Sequence, residues 1–126
     1  MFNHVKLVDE VPKLVQLNEN GTRYYVTPEG NKYPSITTVL SEYSRKGIME
    51  WRQRIGEDEA NKITRQASSR GTRIHTLCEK YLKNEPLEFK TPVDIETFNI
   101  FKPVLHRINN IHLQETKMYS DHLGIS

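Results

Sequence analysis

His75 and Glu79 stand four residues apart in "SSRGTRIHTLCEKYL", directly after Arg70, Gly71, Thr72 and Arg73. On an α-helix of 3.6 residues per turn, that spacing puts the imidazole and the carboxylate on one side, one turn apart. An imidazole can ligate a metal ion or carry a proton, and a nearby carboxylate can orient it. The same pair also reads as a half-buried histidine hydrogen-bonded to a carboxylate, and on these residues alone that packing role is the commoner one. Two potential ligands do not make a catalytic metal site, and the chain contains no H-E-x-x-H, Walker loop, C-x-x-C, G-x-S-x-G or G-x-G-x-x-G.

The approach to His75 is basic. Between Asn61 and Arg73 there are four cations (Lys62, Arg65, Arg70 and Arg73) and no acidic residue. A solvated helix face and a phosphate-binding face fit this charge pattern equally well. A helix over 72–83 is predicted, with Thr72 as its cap and Gly71 allowing close backbone approach. Cations beside such a helix start suit phosphate, because full charges and unpaired N–H groups both attract it. Ile74, Leu77, Cys78, Tyr81 and Leu82 share the helix's apolar face, which makes Cys78 a packing residue rather than a nucleophile. Asn84 and Pro86 end the run.

The elements that must position these groups follow from turn chemistry and periodicity. Residues 1–20 alternate only weakly. Arg23 to Thr27 is β-prone, "PEGN" is a turn, and Lys32–Tyr33 returns as a second strand. Ser35, after Pro34, caps a helix whose apolar side carries Ile36, Val39 and Leu40. Ile48, Trp51 and Ile55 repeat as a buried stripe should, so Trp51 reads as core more readily than as a base-stacking ring. Gly56 breaks the helix, and Glu57, Asp58 and Glu59 load the first turn of the next. A further helix has Ile95, Phe98, Phe101, Leu105 and Ile108 as its core face, with Pro103 predicting a kink or break. The tail alternates from Ile111 to Tyr119 like a strand and ends in a glycine-containing turn.

Composition sets the outer bounds. The chain has 126 residues, 36% hydrophobic and 27% charged, which fits one polar domain with a modest core. No apolar run approaches the ~20 residues of a membrane helix. Asp9, Glu10 and Pro12 fall where a signal peptide would be apolar. A single cysteine excludes an internal disulfide and fits a reducing, cytoplasmic setting. The net charge of +2 decides nothing by itself.

Four segments in order resemble one family: "RYYVTPEGNKYPSITTVL", "WRQRIGEDEANKI", "ASSRGTRIHTLCEKYL" and "ETKMYSDHLGIS". They are similar to the front part of RecB-type PD-(D/E)XK nucleases, especially mitochondrial genome maintenance exonucleases and related phage exonucleases. The resemblance implies an α/β fold, with residues 1–22 as an N-terminal extension and 23–126 as the N-terminal part of the nuclease domain. The chain would hold the hairpin, the leading helices and the first core strand. A last strand near Ile111 would then present an unpaired edge.

The family's G-x-x-x-H helix maps onto Gly71 and His75, which implies His75 as a ligand of Mg2+ or Mn2+, with Glu79 behind it. Arg70, Gly71, Thr72, Arg73, Arg65 and Lys62 would border the nucleic-acid groove, and single-stranded DNA is the implied substrate. The family's G-x-x-D and D/E-x-K motifs have no counterpart here; Asp121 in "SDHLG" does not match. Mg2+ needs hard oxygen ligands, so His75 alone cannot build the site. The expectation is therefore a metal-dependent DNA exonuclease segment, inactive by itself, whose remaining groups come from a C-terminal part or a partner chain. A non-catalytic binding module derived from the same fold is the alternative. The implied compartment is the cytoplasm, that of a phage-infected host included, or the mitochondrion in a eukaryote.

Overall fold

The computed structural model describes residues 1–7 and 9–126. The chain is α/β, with three antiparallel strands and three helices among the described residues, and it divides into two compact units. Among the described residues no helix is long and apolar enough to cross a membrane.

One unit comprises Val8–Ile55 and Glu115–Ser126. Its sheet runs in the order β1 (Val15–Glu19), β2 (Thr22–Val26), β3 (Lys32–Pro34). Glu19 pairs with Thr22, which leaves Asn20 and Gly21 as a two-residue loop, both at positive φ (51° and 77°). That left-handed pair is what a tight hairpin turn demands, and Asn-Gly is the sequence best suited to it. β1 thus lies inside the first 22 residues and is built into the sheet. The second turn forms at "PEGN": the Thr27 N–H donates to the Asn31 carbonyl (2.8 Å) and Thr27 Oγ1 accepts from the Asn31 N–H (3.1 Å).

Helix α1 (Ile36–Ile55) starts as expected, with the buried Ser35 hydroxyl accepting from the Thr38 N–H at 3.2 Å. The expected burial of Ile48, Trp51 and Ile55 is not found. No residue of α1 is buried, and Ile48 is half exposed. The tail forms no strand over 111–119, contrary to the expected core strand. Asn110 and Glu115 take positive φ (52° and 53°), which interrupts extended backbone. Its end instead lies along β3. The Ser126 N–H donates to the Pro34 carbonyl, and the Ile36 N–H donates to Ser126.

The other unit comprises Met1–Leu7 and Gly56–Gln114. Gly56, at φ 91°, precedes α2 (Glu57–Leu82), whose acidic first turn complements the helix dipole. Helix α3 (Pro92–Leu105) begins where Thr91 Oγ1 accepts from the Asp94 N–H (3.2 Å), with Pro92 in the first turn. It continues through Pro103 to Leu105 rather than breaking there. Ile74, Leu77 and Phe98 form the core between the two helices, flanked by Cys78, Tyr81, Leu87, Phe89 and Leu105. Burying those three side chains contributes roughly 1.5–3 kcal/mol each. Asn84, at φ 59°, closes α2 and clasps the N-terminal segment: its amide oxygen accepts from the Phe2 N–H, and its amide donates to the Phe2 carbonyl.

Candidate nucleic-acid interface

Helix α2 is continuous for 26 residues, so Gly71 and Thr72 lie in its interior. This corrects the expected helix start at Thr72. The positive end of the helix lies fourteen residues before Gly71, about 21 Å away along the axis. Thr72 therefore caps nothing, and no unpaired backbone N–H groups surround His75. Any attraction for phosphate must come from side chains. A Cβ added to Gly71 would meet nothing within 4 Å, so packing against this chain does not require glycine there.

The expected cations separate into two groups. Lys62, Arg65 and Arg70 are exposed and, among the described residues, form no ion pair. Arg73 is committed elsewhere. Its Nε donates to Asp94 Oδ2 (2.9 Å), its Nη2 to Asp94 Oδ1 (3.2 Å), and its Nη1 to Ser69 Oγ (2.9 Å). Asp94 is only 1% exposed, and this bidentate pair ties α3 to α2. The guanidinium hydrogen-bonded to it holds the Asp94 carboxyl below the usual carboxylate range. The structure thus moves Arg73 from the proposed phosphate contacts to the joint between the helices.

His75 is exposed rather than half-buried. It lines an open groove of about 620 Å³ together with Ala67, Arg70, Gly71, Ile74, Cys78, Thr97 and Phe101. Glu79 does not line this groove. Its Oε1 accepts from Lys83 Nζ at 2.6 Å, and this hydrogen bond, ahead of the field of His75, lowers its pKa. Burial pushes the Cys78 thiol up, which keeps it protonated and unreactive near neutrality.

The groove does not fit Mg2+ or Mn2+. Its lining includes one imidazole and one protonated thiol but no carboxylate, whereas these ions require hard oxygen ligands. Among the described residues no three His, Cys, Asp or Glu side chains converge on a metal-sized site. The surface is better suited to an anion with an apolar face. A second trough, of about 560 Å³, is lined by Arg65, Gln66, Ser69, Arg70, Arg73, Thr91 and Val93. Arg70 lines both depressions.

Phe101 was expected on the core face of its helix, and it lies at the surface. Phe101 is 46% exposed, whereas Phe98, three residues earlier, is 2% exposed. An apolar stripe as wide as 95–108 should have signalled that one neighbouring helix could not cover it all. Comparison of the chain with protein-family models, with curated proteins and with solved structures finds no match, so the similarity to RecB-type nucleases rests on its four sequence segments.

Proposed function

We propose that α2 and α3 form the single-stranded-DNA-binding wall of a divalent-metal-dependent exonuclease of the RecB type. The supporting observation is that exposed Arg70 and His75 border one open groove, which continues at Arg70 into a basic trough. Arg65, Arg70 and Lys62 attract the phosphates, and His75 stands at the edge where a metal-bearing partner surface would meet the strand. The carboxylates and lysine that such hydrolysis needs are supplied from outside this groove. The chain alone binds DNA and does not cut it.

A non-catalytic nucleic-acid-binding module is the second reading, favoured by the absence of carboxylates from the groove lining. Incubation of the purified chain with labelled single-stranded DNA and Mn2+ tests the proposal. The expected result is a shifted, intact strand. Degradation that His75→Ala abolishes would show that the carboxylates lie within this chain after all. Cleavage restored by an added second polypeptide would select the exonuclease reading over the binding module.

A further inference from the structure

Resting on the nucleic-acid reading above, we infer that the groove between α2 and α3 holds one nucleobase stacked on Phe101, with the adjoining phosphate on Arg70. Phe101 and Thr97 are one helical turn apart and supply the α3 wall, while Ala67, Gly71, Ile74, His75 and Cys78 supply the α2 wall. The lining is mostly apolar, and the half-exposed Phe101 ring borders it. Such a ring usually finds cover, because leaving it in water forgoes a large burial term.

The charge pattern selects the occupant. A purely aliphatic ligand would leave Arg70 unmatched, and a purely acidic one would leave the Phe101 ring uncovered. A nucleotide carries both an apolar planar face and an anion attached to it, and every base has such a face. A space of about 620 Å³ lies within the range of small-ligand sites, wide enough for a base with its sugar. The strand's next phosphates then pass into the trough of Arg65, Gln66 and Ser69. Gly71, which also lines the groove, adds no side chain to it, and its surroundings are open. Phe101 is in this account a specificity-determining residue for unpaired bases, because a base inside a duplex cannot present its face.

The test uses fluorescence anisotropy at low salt with two labelled probes of equal length: oligothymidine and the same backbone made of abasic tetrahydrofuran units. The wild-type chain should bind oligothymidine about 5-fold or more tighter, the low end of a single base stack. Phe101→Ala should abolish that preference while leaving the abasic affinity unchanged. Phe101→Tyr should keep the preference, and Phe101→Leu, which retains apolar bulk, should lose it. Equal wild-type affinity for the two probes, or a Phe101→Ala loss shared by both, overturns the stacking inference and leaves the phosphate contacts standing. Absence of binding to either probe overturns the nucleic-acid reading beneath it.

Discussion

Replacing Gly71 by alanine separates two roles that glycine can play in a helix. Gly71 sits at the fifteenth position of a 26-residue helix, its φ is not positive, and an added methyl group would meet open space. Nothing in the fold offsets the entropy that glycine loses there. Gly71→Ala should therefore stabilise the chain by about 0.5–1 kcal/mol. For a protein of this size that corresponds to a rise in Tm of about 2–6 °C. Circular dichroism at 222 nm, followed during heating, reads both the helix content and the transition. Thr72→Ala provides the second arm. A mid-helix threonine replaced by alanine should leave Tm level or slightly higher, whereas loss of a true cap would cost about 1 kcal/mol. A lower Tm for either variant would mean that α2 is interrupted at Gly71 and that the interior placement of the basic face is wrong.

Other consequences concern the hairpin, the helix joint and the thiol. Gly21→Ala should lower stability by about 1–2 kcal/mol, because the turn needs φ 77° there, and chemical denaturation measures the loss. Asp94 has a folded pKa below its unfolded value, so its contribution is complete above the unfolded pKa near 4 and is lost as pH falls through the folded one. Tm followed from pH 6 downwards should fall in the acid range for the wild type and be flatter for Asp94→Asn; parallel curves would remove Asp94 from the joint. Cys78 should react with a disulfide reagent half-maximally at higher pH than glutathione treated in parallel, and an equal or lower midpoint would contradict its burial.

Local chemistry was the readable part of this sequence. The "PEGN" turn, the Ser35 cap and the break at Gly56 depend on neighbours in sequence, and all three are present. The Asn20-Gly21 turn was equally readable from the same rules, and it would have announced β1. Gly71 misled because one glycine costs a helix only about 1 kcal/mol. The packing of Ile74 and Leu77 on Phe98 outweighs that cost. Periodicity put Ile48, Trp51 and Ile55 on one side of α1, but a pattern does not say whether anything covers that side, and no residue of α1 is buried. The Ile111–Tyr119 alternation failed for a related reason: a strand needs a partner, and positive φ at Asn110 and Glu115 prevents a long extended run. The Arg73–Asp94 pair joins residues 21 positions apart, so charge counting along one helix could not reveal it.

The salt dependence of single-stranded DNA binding tests the central claim most directly. Affinity of the wild-type chain for oligothymidine, measured from about 50 to 200 mM salt, should fall linearly on a log–log plot. Arg65→Ala combined with Arg70→Ala should flatten the slope by about 1.4, at roughly 0.7 per phosphate released on a single strand. An unchanged slope and affinity in the double variant would contradict the account, as would a wild-type chain that does not bind DNA at the lowest salt.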